Sequence, residues 1–190
     1  MKHLLIVGQP GVGKTSLIAR LSRDFRGGPI DGFYTEELRE EGRRVGFWLT
    51  SLDGRQALLA HRQLASPSRV GSYQVNVAVL DDMAVGILQR AMSQAQLVFL
   101  DEIGVMELSS KAFVQAVRQL FERGPRIIAT VGLQPTPFLV HLRGRRDVEL
   151  IALSARNRET VYEELRWRLQ DLCDADERVR ELQRQADAIC

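Results

Sequence analysis

Four consecutive apolar residues, Leu4-Leu5-Ile6-Val7, stand near the start of the chain and run straight into glycine. A short apolar run bounded by a turn signal predicts a strand buried on both faces. Leu17, Ile18, Leu21 and Phe25 then recur at helical spacing, and Gly27-Gly28-Pro29 stops that helix. The period changes after it. Phe33-Tyr34-Thr35, Val45 to Thr50 and Gln56 to Leu59 read as strands, separated by the turn-like Glu40-Glu41-Gly42-Arg43 and by the hairpin signal Asp53-Gly54. Together with Tyr73 to Val79, which alternates in strand fashion, they predict a β-rich insertion over 33–79 built as an antiparallel hairpin or meander. Leu80, Met83, Ala84, Ile87, Leu88 and Ala91 mark the amphipathic helix that follows.

The second half of the chain repeats one theme. Leu97-Val98-Phe99-Leu100 is another buried-strand run, Leu108, Phe113, Ala116, Val117, Leu120 and Phe121 trace a helix, and Arg126 to Thr130 and Val148 to Leu153 are further strands. Strands alternating with helices predict an α/β fold: a doubly wound, mostly parallel sheet of the P-loop NTPase kind, with its active edge at the carboxyl ends of the strands. From Asn157 the pattern is helical, giving a C-terminal helical segment over 157–190. Within it Leu172, Ala175, Val179, Leu182, Ala186 and Ile189 repeat at heptad spacing. Two readings of that repeat stand side by side: a helix packed on its own domain, and a coiled coil that pairs two copies into a homodimer.

At 190 residues with 45% hydrophobic content, the chain supports one sizeable core, and no linker-like stretch divides it, so a single domain over 1–190 is expected. The net charge of +2 is close to balanced and the basic residues are dispersed, which gives no strong nucleic-acid signal. Cys173 and Cys190 form no C-x-x-C pair and His3, His61 and His141 have no ligand spacing, so neither a disulfide scaffold nor a zinc site is expected. A reduced, cytoplasmic setting fits. The first apolar run is too short for a signal peptide, and no stretch has the length of a membrane span.

The glycine that ends the first strand opens Gly8-Gln9-Pro10-Gly11-Val12-Gly13-Lys14-Thr15, followed by Ser16. This is the spacing G-x-x-x-x-G-K-[ST] between a strand and a helix. Glycines let successive backbone N–H groups turn inward around phosphate oxygens, and the helix adds its positive end. Lys14 is then placed for the β- and γ-phosphates and the Thr15 hydroxyl for Mg²⁺. The plain alternative is a Gly-rich turn, but the chain has only three lysines, Lys2, Lys14 and Lys111, which makes an accidental match uncommon. Asp101-Glu102 ends a buried strand where a carboxylate faces such a loop: Asp101 as the acid on the Mg²⁺ side, Glu102 as the acceptor that orients an attacking water.

Gly32 to Glu37, Arg44 to Phe47, Val70 to Tyr73, Asp101 to Leu108, Arg143 to Val148 and Ala155 to Arg158 occur in one order. That set resembles the THEP1-type nucleoside-triphosphatases over roughly residues 1 to 170. The resemblance implies a P-loop fold with Mg²⁺-dependent hydrolysis of ATP, GTP and other nucleoside triphosphates to diphosphate and phosphate, with broad base tolerance. It maps the phosphate cradle to Gly8 through Thr15 and the two acids to Asp101 and Glu102. It also offers Arg145, which matches a family arginine, as an arginine finger. Asn157 and Arg158 follow the last strand, where related sheets touch the base or ribose; the plain reading there is a helix start. This chain departs from the family in a short segment between Leu59 and Gly71 and in a longer C-terminal helix.

Against hydrolysis stands a small-molecule or nucleotide kinase using the same cradle, for which the region from Phe33 to Leu59 would supply an acceptor pocket. A guanine-selective switch is disfavoured, because none of the lysines sits in an Asn/Thr-Lys-x-Asp motif. The hydrolase is the reading the two acids support.

Overall fold

The computed structural model describes residues 2–171; the heptad repeat from Leu172 and both cysteines lie outside them. In chain order the elements are β1 (His3–Val7), α1 (Lys14–Asp24), β2 (Ile30–Glu40), β3 (Arg43–Ser51), β4 (Gln56–His61), β5 (Arg69–Val70) and β6 (Tyr73–Val75). A helical turn α2 (Val77–Val79) passes through a π-helical turn, Leu80–Ala84, into α3 (Val85–Gln94). β7 (Leu97–Ile103), α4 (Lys111–Arg123), β8 (Arg126–Val131), α5 (Pro137–Arg143) and β9 (Val148–Ala152) follow, then a helix α6 over 158–171.

The strands form one nine-stranded sheet in the order β5-β6-β4-β3-β2-β7-β8-β1-β9. The expectation of a mostly parallel sheet is corrected: the sheet is mixed. β2–β7, β7–β8, β8–β1 and β1–β9 run parallel, while β2–β3, β3–β4, β4–β6 and β6–β5 run antiparallel. The reason lies in the length of β2. Ile30 to Phe33 pair with Leu97 to Leu100 of β7, whereas Phe33 to Glu40 pair with β3 and carry the strand beyond β7. The hairpins therefore extend the same sheet instead of forming a separate layer.

Alternation along the parallel strands explains their unbroken apolar runs. Leu5, Val98, Leu100, Ile127 and Ala129 face a core built with α3, α4 and α5, where Ile87, Phe113, Leu120 and Leu139 are buried. Leu4, Ile6, Leu97, Phe99 and Ile128 face the opposite core with Leu17, Ile18 and Leu21 of α1 and Val161 and Leu165 of α6. A strand covered on both faces has no polar side to display. Each buried Leu, Ile or Phe contributes about 1.5–3 kcal/mol relative to an exposed one, so both faces are needed to hold the sheet.

Two local expectations change. Tyr73 to Val79 reads as one strand, yet pairing with β4 ends at Ala60↔Val75 and the chain becomes helical at Val77. The Asn76 N–H donates to the Leu59 carbonyl at 2.7 Å, closing the ladder, and the Val79 N–H donates to the Asn76 carbonyl, opening a helical turn. α5 has no counterpart in the hydrophobic pattern. Its signal is the cap: Thr136 accepts from the Leu139 N–H at 3.3 Å, and Pro137 takes the first helical position.

Candidate active site

Parallel pairing of β1, β7 and β8 brings their carboxyl ends to one edge, and each end delivers part of a site. The loop after β1 enters α1 through Gly13, at φ +97 and without a side-chain cap. A side chain at Gly13 would be strained by that left-handed backbone, and its Cβ would lie 3.2 Å from Arg158 Cδ. The first turn of α1 thus offers open backbone N–H groups and the positive end of the helix to an anion. Lys14 Nζ spans the loop, donating to the carbonyls of Gly8 at 2.9 Å and Gln9 at 3.3 Å.

Asp101 is the hub. The β7–β8 ladder is regular through Leu100↔Ala129 and resumes at Ile103↔Val131, so Asp101 and Glu102 occupy an irregularity between them. Asp101 is 2% exposed, and both its oxygens are taken: Thr15 Oγ1 donates to Oδ2 and Thr130 Oγ1 to Oδ1, each at 2.6 Å. Burial pushes the Asp101 carboxyl up, opposed by the Thr130 and Thr15 hydroxyls and the Lys14 charge. Glu102 is likewise raised, by burial and by the Asp101 charge, with Lys14 opposing.

A third acid stands behind them. Glu107, in a short 3-10 turn after β7, is 3% exposed and accepts from the Gly104 N–H at 2.9 Å. Burial, reinforced by the Glu102 charge, pushes its carboxyl up to about 8. Gly104 separates the two glutamates: a Cβ there would lie 2.5 Å from Glu102 Oε1 and 3.0 Å from Glu107 Oε2. Lys14, Thr15 and all three acids line a cavity of about 660 Å³. Its far wall comes from the antiparallel half of the sheet, with Thr35, Glu37, Arg44 and Phe47, and from Val105 and Met106.

The other sequence candidates divide. Pro10, Gly11, Gly13 and Ser16 line the same cavity. Arg158 joins the loop through its stem over Gly13. Asn157 closes the turn after β9: its Oδ1 accepts from Ser154 N–H at 2.7 Å and Oγ at 3.0 Å, and its Nδ2 donates to the Ala152 carbonyl at 2.9 Å. Arg145 lies away from the cavity. It grips Asp147 at 2.7 and 2.9 Å and the Phe121 carbonyl at 3.0 Å, beside the point where His3 starts β1. That is the amino-terminal edge of the sheet, a strand length of roughly 16 Å from the loop. The sequence reading missed Thr130, whose signal was a hydroxyl inside a buried strand; Arg44 and Phe47 belong to the 33–59 region for which it raised an acceptor pocket.

The oxygens of Thr15 and Asp101 converge, and hard oxygen donors suit Mg²⁺, which is held by one or two protein ligands with water and substrate phosphates completing its shell. Among the described residues no group of three or more His, Cys, Asp or Glu is arranged to hold a metal. Among them, too, no helix is long and apolar enough to cross a membrane.

A family model described as NTPase matches residues 3–166. Nucleoside-triphosphatase THEP1 from Thermotoga sp. (strain RQ2) is 42% identical over 162 residues, covering 85% of this chain and 92% of that protein. The human cancer-related nucleoside-triphosphatase is 36% identical over 179 residues, covering 86% and 94%. The crystal structure of THEP1 from Aquifex aeolicus superposes with a TM-score of 0.77 at 34% identity, covering 87% of this chain and 96% of that one. The solution structure of a human cancer-related nucleoside triphosphatase gives the same TM-score at 35% identity, covering 90% and 98%.

Proposed function

Because the chain belongs to the NTPase family and is a nucleoside-triphosphatase, we propose that it hydrolyses the β–γ bond at the edge where β1, β7 and β8 end. The convergence of Thr15 on Asp101, within one cavity with Lys14 and Glu102, carries this reading. The loop N–H groups and Lys14 bind the β- and γ-phosphate oxygens. Thr15 and Asp101 hold Mg²⁺, which when bound neutralises charge on those oxygens. Glu102 accepts a hydrogen bond from water and aligns it with the γ-phosphorus. The water oxygen bonds to phosphorus, the bridging P–O bond breaks with its electron pair going to the diphosphate, and a water proton passes to Glu102 and leaves with inorganic phosphate. Most of the rate gain then comes from positioning and electrostatics.

Arg158 over Gly13 provides a surface for the nucleoside side of the substrate, and broad base tolerance fits relatives named as nucleoside-triphosphatases with no base specified. Steady-state phosphate release from ATP, GTP, CTP and UTP, with Mg²⁺ and with EDTA at two protein concentrations, tests the reading. It predicts release from all four that EDTA abolishes. Release in EDTA equal to that in Mg²⁺ would contradict the metal assignment, and activity confined to one base would contradict base tolerance. Specific activity that rises with protein concentration would assign a catalytic role to assembly.

A further inference from the structure

Three acids crowd the end of β7, and hydrolysis as described uses only Asp101 and Glu102. Glu107 is more buried than a catalytic acid in contact with water needs to be, and among the described residues no ion pair includes it. A buried carboxylate without a cation is costly, and the usual outcome is that the group keeps its proton. The groups facing it reinforce that outcome. β7 presents Asp101 and Glu102, both acids. The cation of α1 in the cavity, Lys14, acts on both of those acids, opposing the rise that burial gives them. From β2 and β3 the cavity wall supplies Glu36, Glu37 and Arg44, and Arg44 is already paired to Glu37 at 2.8 Å. Glu107 also receives the Gly104 N–H and its own backbone N–H, which fix where its carboxyl points.

Gly104 completes the geometry. Glu102 Oε1 lies 2.5 Å and Glu107 Oε2 3.0 Å from the position that a Cβ on Gly104 would take, so both carboxyl groups border the space that the missing side chain leaves, and the Glu102 charge acts on Glu107 across it. One proton between neighbouring carboxyl groups gives a charge-assisted hydrogen bond; two negative charges there repel.

We propose that Glu107 is a positioning residue for hydrolysis: as a neutral acid it donates a hydrogen bond to the Glu102 carboxylate and holds that carboxylate turned toward the water. The proposal rests on the reading of Glu102 as the group that orients water. Glu107 keeps its proton throughout the cycle, so no atom is exchanged with substrate. When Glu107 ionises, the donor becomes a second negative charge and the orientation is lost. Turnover of the wild type therefore falls on the alkaline side, at about pH 8, with KM little affected.

The test is a pH profile of kcat and KM for phosphate release from Mg-ATP between pH 6 and 10. It is run on wild type, Glu107→Gln, Glu107→Ala and Glu102→Gln, each checked for folding by thermal melting. Glu107→Gln keeps a neutral donor of the same shape at every pH, so its turnover should exceed that of Glu107→Ala at pH 7 and lack the wild-type alkaline fall. Glu107→Ala should lose about 10- to 100-fold in kcat with KM within a few-fold, part of what a positioned acid or base contributes. An alkaline fall in Glu107→Gln that matches the wild type would overturn the proposal, and so would a Glu107→Ala kcat equal to wild type. Should Glu107→Ala fail to fold, the Glu107→Gln profile decides alone. Glu102→Gln separates the two levels: if it turns over normally, the reading of Glu102 falls and the proposal with it. An inactive Glu102→Gln beside an indifferent Glu107 sinks only the proposal.

Discussion

Thr130 shows how a single side chain governs the site. Its hydroxyl is fully buried and serves Asp101 Oδ1, leaving Oδ2 for Thr15 and for the metal side of the cavity. Thr130→Val removes the donor at almost constant volume and takes one hydrogen bond from a buried carboxylate. We expect a loss of about 1–3 kcal/mol in chemical denaturation, together with weaker Mg²⁺ dependence in phosphate-release assays. Lys14→Ala removes the one side-chain cation that spans the loop, and kcat/KM should drop at least ~100-fold, as when a transition-state charge partner is deleted. Arg145→Ala has the opposite expectation. Its pairing with Asp147 is half exposed on the Asp147 side and worth ~0.2–1 kcal/mol, so melting shifts slightly while turnover stays at the wild-type level. A large loss of turnover in that variant would show that Arg145 acts from another copy of the chain.

Elements carry the next level, and here the ends matter more than the middles. Ser110 caps α4, accepting the Phe113 N–H at 2.9 Å while its own hydroxyl donates to Asp81 at the π-helical turn. One hydroxyl thereby joins α4 to the stretch before α3. Ser110→Ala should cost about 1–2 kcal/mol and lower the melting temperature by roughly 2–8 °C. The strands and helices with strong periodicity were legible in the chain: β1, α1, the hairpins around Glu40-Glu41 and Asp53-Gly54, β7, α4, β8 and β9 all lie where the apolar pattern places them. What was not legible depended on partners. Val77 to Val79 look like strand until the absence of a partner beyond Val75 is known, and α5 is carried by Thr136-Pro137 more than by a long apolar stripe. The parallel or antiparallel sense of β2 cannot be read from Phe33-Tyr34-Thr35 alone, because it changes neighbour along its length.

At the scale of the molecule, the mixed sheet explains the division of labour. Its parallel half gathers the phosphate loop, Asp101 and Thr130, and its antiparallel half reaches over them with Thr35, Glu37, Arg44 and Phe47 to enclose the cavity. The loop motif and the acid pair stand out in the sequence by residue type and spacing, and the fold brings them to one cavity. The position of Arg145 was not legible, since a motif match gives no information about which edge of the sheet it joins. Glu107 has a consequence for the whole fold as well. Its carboxyl titrates near pH 8 in the folded protein and near its ordinary value of 4.5 when unfolded, so the native state binds the extra proton between those limits. Stability from this group is present at low pH and declines as pH rises from 4.5 to about 8. The melting temperature of Glu107→Gln relative to wild type should therefore climb through that window and level off above it; a constant difference would contradict the assigned protonation.

Catalysis in this site turns on Glu102 acting on water and not on binding. Phosphate release from Mg-ATP by Glu102→Gln, measured alongside its affinity for a non-hydrolysable ATP analogue, tests that directly. Turnover should fall by about 10²- to 10⁴-fold with affinity held within a few-fold of wild type. Wild-type turnover in this variant, or a loss of turnover explained entirely by lost binding, would contradict it.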